Sequence, residues 1–221
     1  MQFDGDLRVE CLPAMFKNPF SAAAMPGQRS GPLKLNLGCG HNKLDGYLNV
    51  DKYPVGKPDM LMDLEVLPWP FADNSVTHVT LSHVLEHVGQ EAGLFLRMIQ
   101  ELWRVCTPGA EVSIFVPHPR HDDFIGDPTH VRPIMPATLQ AFDQVLNREQ
   151  IAGGYGNTPL GLQLGVDFQI VGLEYVPDTA WKARLDAGEI GAGQLLDLAR
   201  AQNNVIAEFR FTWLAHKPAR G

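Results

Sequence analysis

The segment HPRHDDFIGDPTHVRP, residues 118–133, gathers the side chains best suited to chemistry, with three histidines among three aspartates and two arginines. A histidine held by a carboxylate can take a proton from a hydroxyl near neutral pH, and mixed His/Asp sets can hold a divalent metal ion. Three interpretations are open. We favour a substrate site in which His121 or His130 is the base and Asp122 or Asp127 its partner. A divalent metal site and a structural loop are the alternatives.

A second motif, HVLEH at residues 83–87, matches the H-x-x-E-H pattern of zinc hydrolases. On a helix, His83 and His87 would share one face as metal ligands, and Glu86 would activate water. The motif directly follows an apolar strand-like stretch, however, and Gly89 soon interrupts any helix. We therefore expect a short helical segment here, and we favour a structural role for Glu86 and His87 over zinc hydrolysis.

Composition limits the class of protein. A chain of 221 residues with 45% hydrophobic and 19% charged residues can bury one sizeable core. A net charge of -7 and the absence of a Lys/Arg cluster argue against a nucleic-acid partner. No apolar run approaches the roughly 18 residues of a membrane span. We expect a small-molecule partner, with no nucleic acid and no membrane.

The cysteines and the N-terminus bear on location. Cys11, Cys39 and Cys106 are odd in number, widely spaced and without C-x-x-C pairing, which fits a reducing compartment. The N-terminus MQFDGDLRVE has acids where a signal peptide needs a basic start and an apolar run. We expect a cytoplasmic protein.

The chain divides into an extension, residues 1–32, and one folded domain, residues 33–221. Pro, Gly, Ala and Ser dominate the end of the extension and hold no periodic apolar face. The patterns in the domain predict strands at LKLNL, YLNVD, DMLMDL, SVTHVTL, EVSIFVP, VDFQIVGLEYVP and AEFRFTWLAHK, and helices at EAGLFLRMIQELWRV, PATLQAFDQVL and WKARLDAGEIGAGQLLDLARAQNN.

The best-defined helix is indicated by Leu94, Met98, Leu102 and Val105, whose spacings of four, four and three place them on one face. Strands that alternate with helices predict a mostly parallel sheet covered on both faces. Ligands of such sheets bind at the carboxyl ends of the strands. The cofactor or substrate site should therefore lie where these strands end.

Glycines and acids stand at those strand ends. Gly38 and Gly40 follow the first strand, where a ligand can approach the backbone closely. Asp51 ends the second strand and can accept hydrogen bonds from a ribose diol. The dinucleotide fingerprint G-x-G-x-x-G is incomplete, because Lys43 occupies its third glycine position. A nucleotide-type ligand other than a dinucleotide is therefore favoured.

The segments LNLGCG, GYLNVD, MDLEVLPWPFADNSVTHV, LSHVLEHV and ELWRVCTPGAEVSIFVP, in this order, resemble the class I S-adenosylmethionine-dependent methyltransferases, in particular a bacterial group with the HVLEH segment. The resemblance implies an α/β fold, a Rossmann-like doubly wound, mostly parallel seven-stranded sheet with an antiparallel last strand. It also implies S-adenosyl-L-methionine as cofactor. The residues it assigns to cofactor binding are Gly38, Cys39, Gly40, Asp51, Lys52, Asp63, Leu64, Ser82 and His83.

We therefore expect a methyltransferase that methylates an oxygen, or less favourably a nitrogen, of a small molecule or saccharide. A cofactor-binding interaction module without transfer activity is the main alternative, and a zinc hydrolase is a weaker one. The last strand could complete the sheet or reach a second copy, so a homodimer is compatible with the sequence. The span from Gly40 to Tyr47 departs from the family pattern, because it is too short for a full crossover helix.

Overall fold

The computed structural model describes residues 31–221. Cys11 and all but the last two residues of the predicted extension, residues 1–32, lie outside the described residues. One seven-stranded sheet has the order β3-β2-β1-β4-β5-β7-β6. Its strands are β1 (Leu33–Leu37), β2 (Leu48–Asp51), β3 (Met60–Leu61), β4 (Val76–Ser82), β5 (Cys106–Pro117), β6 (Phe168–Pro177) and β7 (Ile206–Ala215). The helices are α1 (Ala92–Val105), α2 (Asp122–Ile125), α3 (Pro136–Gln140), α4 (Gln144–Ala152), α5 (Leu160–Leu164), α6 (Thr179–Asp186) and α7 (Ala192–Ala201).

The direction of the strands confirms the predicted fold class. Strands β3, β2, β1, β4 and β5 pair in parallel, and β7 runs antiparallel to both β5 and β6. The five parallel strands therefore end at the same edge of the sheet. The sheet is mixed, mostly parallel, and its last strand is antiparallel as expected.

Helix α1 packs against the sheet with the predicted face. Met98, Leu102 and Val105 are buried, and Leu94 packs at the margin of the core. Phe95 joins them, which widens the apolar stripe beyond the four predicted positions. This helix is the crossover between β4 and β5, so it fixes how the ends of those two strands lie beside each other.

The connection between β1 and β2 is built from turns and polar contacts rather than from a helix. Asn36, within β1, donates from Nδ2 to Asn49 Oδ1 of β2 at 2.9 Å and to the carbonyl of Asn42 at 2.8 Å. Asn49 in turn accepts from the backbone N–H of Leu44 at 2.8 Å and donates to Asp59 at 2.9 Å. These buried amides satisfy the short connection internally, and the two strand ends stay close together.

The prediction of a helical segment at HVLEH is wrong, because residues 84–88 form a turn and α1 begins only at Ala92. The chain leaves β4 through His83, whose φ of 54° is left-handed, and it turns again at Gly89 with φ 65°. A Cβ on Gly89 would lie 2.7 Å from the Cα of Phe95. Two left-handed residues and this close approach do not allow a regular helix, so the geometry that the zinc-hydrolase interpretation requires does not form.

The C-terminal part departs from the predictions in detail only. The predicted helix PATLQAFDQVL is two helices, because α3 ends at Gln140 and Asp143 accepts hydrogen bonds as the N-cap of α4. The predicted helical stretch between β6 and β7 is likewise two helices, interrupted at Gly188 with φ 72°. Helices α6 and α7 pack around a second apolar cluster, separate from the main core and formed by Ile190, Leu195, Ala199, Val205 and Ile206. Within residues 31–221, no helix has both the length and the apolar character needed to span a membrane.

Candidate functional site

A cleft of about 440 Å³ opens at the edge where the parallel strands end. The residues that line it follow β1, β2, β3 and β4, together with one residue of the polar segment 118–133. They are Gly38, Asp51, Lys52, Tyr53, Met62, Asp63, Leu64, His83, Val84, His87, Val88 and Thr129. A cleft therefore lies at the carboxyl ends of the parallel strands, where the cofactor or substrate site was predicted.

Two glycines allow close approaches at this edge of the sheet, and one of them, Gly38, lines the cleft. Gly38 has φ 67°, and a Cβ there would lie 2.5 Å from Val84 Cγ2. Gly56, after β2, packs against the turn after β1, so that its Cβ would lie 1.7 Å from the carbonyl oxygen of Gly40. Gly38 was predicted and Gly56 was not, because a single glycine in a polar loop carries no signal of a contact with a distant backbone.

The two predicted acids are held by backbone donors. Asp51 accepts from the N–H of Gly40 through Oδ2 and from the N–H of Tyr53 through Oδ1, both at 2.8 Å. Asp63 accepts from the N–H of Glu65 at 3.0 Å. Each carboxylate oxygen has two lone-pair directions, so these bonds orient the groups and leave acceptor capacity for a ligand. Because β2 and β3 are neighbours, the two acids lie on the same side of the cleft.

The other predicted cofactor residues fall into two groups. Lys52, Leu64 and His83 line the cleft. The lining does not include Cys39, Gly40 or Ser82, although all three stand at strand ends. The side chain of Cys39 is buried, and burial, with Asp51 nearby, raises the pKa of its thiol. Gly40 acts through its N–H to Asp51, and Ser82 is paired with β5 inside the sheet.

His83, at the end of β4, lies between two carboxylates. Its Nε2 is 2.9 Å from Glu208 Oε2, and its Nδ1 is 3.4 Å from Glu86 Oε1. The neighbouring carboxylates, first Glu86 and then Glu208, raise the pKa of His83, although burial opposes them. Glu208 belongs to β7, far along the chain, and only the antiparallel pairing of β7 with β5 brings it here.

In the polar segment, the structure places His121 and Asp122 outside the cleft lining. His121 is buried, accepts from the N–H of Asp123 as the N-cap of α2, and lies 3.5 Å from Asp178 Oδ2. Asp122 is exposed, and its N–H donates to the side chain of Asn204 at 2.8 Å. Both residues thus make contacts that tie the segment to α6 and to the loop before β7.

His130 and Asp127 lie next to cleft residues. The His130 ring stacks on Phe124, with 5.0 Å between ring centroids, and lies 4.5 Å from the ring of His87. Asp127 accepts from both the N–H and the hydroxyl of Thr129, and these bonds lower the pKa of the Asp127 carboxyl. His87 and Thr129 line the cleft. His130 and Asp127, two of the four predicted catalytic residues, therefore contact the cleft wall without lining the cleft themselves.

The two arginines of the segment bind backbone carbonyls. Arg132 donates to the carbonyls of Val88 and Gly89 at 3.2 and 2.7 Å, and its guanidinium stacks on Phe95 with 4.0 Å to the ring centroid. Burial lowers its pKa. Arg120 donates to the carbonyl of Arg200. The side-chain hydrogen bonds found for both arginines therefore go to carbonyl oxygens rather than to carboxylates.

A second cavity, of about 430 Å³, lies beyond the end of β5. It combines apolar groups with two arginines, and its lining is His118, Pro119, Arg120, Met135, Pro136, Tyr175, Leu196, Ala199, Arg200 and Phe209. Burial, followed by the nearby charge of Arg120, lowers the pKa of His118. The His83–Glu208 pair joins β4 to β7, and β5 lies between those strands. The pair is therefore near the boundary of the two cavities.

Comparison with known proteins gives three findings. Residues 48–114 match the methyltransferase-domain family, and no curated protein matches the chain. A methyltransferase dependent on S-adenosylmethionine from Archaeoglobus fulgidus is 17% identical, with 83% of this chain and 86% of that one covered and a TM-score of 0.54. A second, from Mesorhizobium loti, is also 17% identical, with coverages of 83% and 91% and a TM-score of 0.45. The similarity to the Archaeoglobus fulgidus protein defines the fold alone.

The fold is the Rossmann-like fold of the S-adenosylmethionine-dependent methyltransferases. The family match covers the chain from β2 into β5, including Asp51 and Asp63. The methyltransferase-domain match over residues 48–114, together with the fold, supports an enzyme whose cofactor is S-adenosylmethionine.

Proposed function

We propose that this enzyme transfers the methyl group of S-adenosylmethionine to an oxygen, less favourably to a nitrogen, of a small-molecule or saccharide acceptor. One observation carries the proposal. The cleft has two carboxylates on the side of β2 and β3, a glycine floor at β1, and polar side chains on the side of β4. A ligand with a ribose and a base at one end and a reactive group at the other fits this distribution.

The residues of the cleft fit the cofactor chemically. Gly38 keeps the backbone open where any Cβ would meet Val84, and Asp51 retains acceptor capacity for two ribose hydroxyls. Asp63 and Leu64, after β3, offer a carboxylate and a backbone N–H for the edge of an adenine. Lys52 lies beside them. His83 lies nearest the end of β4, where the reacting group belongs.

S-adenosylmethionine supplies a methyl group already activated by a sulfonium, and in the displacement the electron pair of the C–S bond returns to sulfur. The enzyme has to align the acceptor, whose lone pair forms the new bond to the methyl carbon, and to exclude water. The proton that the acceptor loses passes to the His83–Glu208 pair. We assign alignment to His83, held by Glu208, and to the Thr129 hydroxyl, which lines the same cleft. Of the predicted catalytic residues, His130 and Asp127 act by positioning His87 and Thr129, and we assign His121 and Asp122 to structural contacts.

We place the acceptor in the second cavity, with its nucleophile directed toward the His83–Glu208 boundary. The apolar surfaces of Met135, Tyr175 and Phe209 suit the body of a small molecule or the face of a sugar ring. Arg120 and Arg200 add donors for polar substituents. An oxygen nucleophile is favoured because hydroxyls are the common reactive groups of such acceptors.

Cofactor binding is tested by calorimetric titration of the full chain with S-adenosylmethionine, S-adenosylhomocysteine and NAD. The first two should bind and NAD should not. Asp51→Asn and Asp63→Asn should each weaken binding about tenfold to a hundredfold, because each removes a charge-assisted hydrogen bond worth about 1.5 to 3 kcal/mol. Asp45→Asn, an exposed position outside the cleft, is the matched control. Unchanged affinity in both cleft variants would refute the assignment.

The acceptor is tested by following S-adenosylhomocysteine production with matched pairs of hydroxyl and amino compounds, including sugars. Turnover with the hydroxyl member of a pair and not with the amine supports oxygen as nucleophile. Met135→Trp, which fills the second cavity, should abolish turnover and leave cofactor affinity unchanged. Retained turnover in this variant would place the acceptor elsewhere.

Three broader assignments complete the proposal. Residues 33–221 form one methyltransferase domain preceded by an extension, consistent with one sheet that runs from β1 to β7. The cytoplasm is the proposed location, which suits the unpaired thiols of Cys39 and Cys106.

A homodimer is supported by the edge strand β6, where Val171 is 53% and Leu173 38% exposed. Sedimentation of the wild type and of Val171→Lys tests the dimer.

A further inference from the structure

We propose that Glu86, His87 and His130 form a binding site for a divalent transition-metal ion at the wall of the cofactor cleft. One carboxylate oxygen and one ring nitrogen of each histidine all lie within 4.8 Å of one another. Ligand atoms bound about 2.1 Å from a shared ion lie about 3 to 4 Å apart. Small side-chain rotations therefore bring the three groups onto one ion.

The carboxylate of Glu86 is the first element of the argument. Glu86 is 0% exposed, and neither of its oxygens has a hydrogen-bond partner. Its closest charged neighbour is His83, at 3.4 Å, which is partly exposed and also bound to Glu208. A buried carboxylate without hydrogen bonds is costly, and buried charges are typically paired or coordinate a metal. A cation beside Glu86 would satisfy it.

The second element is the state of His87. Its Nδ1 lies 2.9 Å from the hydroxyl oxygen of Thr129, and that hydroxyl already donates its proton to Asp127 Oδ1 at 2.6 Å. The Thr129 oxygen must therefore accept from His87, so Nδ1 carries the hydrogen. In the neutral ring the lone pair is then on Nε2. The Asp127–Thr129–His87 chain prepares this nitrogen as a ligand.

His130 also carries its hydrogen on Nδ1, for a reason independent of His87. Its Nδ1 lies 2.8 Å from the carbonyl oxygen of Phe124, which can only accept, so Nδ1 again carries the hydrogen. The lone pair of the neutral ring is again on Nε2. Metal-binding histidines almost always donate their second ring N–H to a carbonyl, a carboxylate or water, and this contact fixes the ring. Both histidines meet this requirement.

Two imidazoles and one carboxylate suit Zn²⁺, Fe²⁺ or Co²⁺ and leave coordination positions open. Because His87 also lines the cleft, an ion held by these three residues would lie beside the cleft, where an open position could take a ligand from it. If the proposed function holds, that position can take the acceptor hydroxyl and favour loss of its proton. Metal binding itself does not depend on methyl transfer.

The test is direct titration of the chelator-stripped full chain with Zn²⁺, and with Co²⁺ followed by its visible absorption. One ion should bind per chain at micromolar affinity or tighter, with a Co²⁺ spectrum typical of nitrogen and oxygen ligands. Glu86→Gln, His87→Ala and His130→Ala should each weaken binding at least about a hundredfold. Thr129→Val keeps all ligands but removes the partner of His87, so it should weaken binding about tenfold to a hundredfold.

His41→Ala is the control, since His41 is an exposed histidine outside the cluster and its loss should leave metal affinity unchanged. If Glu86→Gln does not fold, His87→Ala remains decisive because that side chain is partly exposed. Absence of binding, or binding that the three ligand variants retain, would overturn the site. Titration of the stripped protein with S-adenosylmethionine separates this result from the proposed function, because cofactor affinity does not require the ion.

Discussion

Replacement of Gly38 by alanine tests how the cleft floor is built. The substitution adds a single Cβ at a residue with φ 67°, and this atom would lie 2.5 Å from Val84 Cγ2 and 3.3 Å from its Cγ1. Two separate costs follow. The backbone conformation is unfavourable for any residue with a Cβ, and the new methyl overlaps a buried side chain.

The two costs can be estimated separately. The left-handed conformation costs about 1 to 2 kcal/mol for a non-glycine residue, and overpacking of a well-packed interior costs about 1 to 3 kcal/mol. Gly38→Ala should therefore lower the free energy of unfolding by about 2 to 5 kcal/mol. Gly40→Ala is the matched control, because φ is 51° and no heavy atom lies within 4 Å of its Cβ. Gly40→Ala should lose only the cost of the left-handed conformation, about 1 to 2 kcal/mol.

Urea denaturation of five proteins completes the measurement: the wild type, Gly38→Ala, Gly40→Ala, Val84→Ala and the Gly38→Ala, Val84→Ala double variant. In a Val84→Ala background the overlap is removed, so Gly38→Ala should cost only about 1 to 2 kcal/mol relative to that background. Gly38→Ala should also weaken S-adenosylmethionine binding, since Val84 lines the cleft and must move. Equal stability losses for Gly38→Ala and Gly40→Ala would show that the contact with Val84 does not determine the floor.

Two further predictions concern stability. Arg220→Ala removes the two side-chain hydrogen bonds, at 2.9 and 2.8 Å, to the carboxylate of Asp167, which is 0% exposed, so urea denaturation should show a loss of about 3 kcal/mol. Arg200→Ala breaks only an exposed ion pair and should change stability by less than about 1 kcal/mol; similar losses in both variants would contradict this account. Burial alone would raise the pKa of Asp59, but hydrogen bonds from Lys43 and from the β2 asparagine outweigh it and lower the pKa from 3.8 to about 2. The stabilisation from a depressed carboxyl pKa is complete above about pH 4 and is lost as pH falls toward 2. The stability difference between the wild type and Asp59→Asn should therefore shrink as pH falls from 5 to 3, and a difference that does not change with pH would refute the shift.

Much of the fold could be predicted because alternating apolar residues define strands locally. Once parallel strands are assumed, their carboxyl ends must share one edge. This is why Gly38, Asp51 and Asp63, which are far apart in the sequence, were expected to meet. The short connection after Gly40 was also detectable, since its length alone rules out a full crossover helix.

The errors arose where distant contacts decide local structure. The spacing in HVLEH fits a helix, but the close approach of Gly89 to Phe95 produces a turn, and no local pattern reports that contact. Glu208 reaches His83 only through the pairing of β7. The two motifs considered separately for metal binding, HVLEH and the polar segment, each supply part of one cluster, and the sequence gives no sign that they converge.

The small apolar cluster under α6 and α7 is separate from the main core, although Ile206 also belongs to β7. Because few buried side chains hold these two helices, we expect them to open at a lower free energy than the central sheet. Leu196, Ala199 and Arg200 of α7 also form one wall of the second cavity. The free energy needed to open the second cavity therefore depends on a few side chains of the small cluster. Substitutions there can change acceptor access without changing the stability of the cofactor cleft.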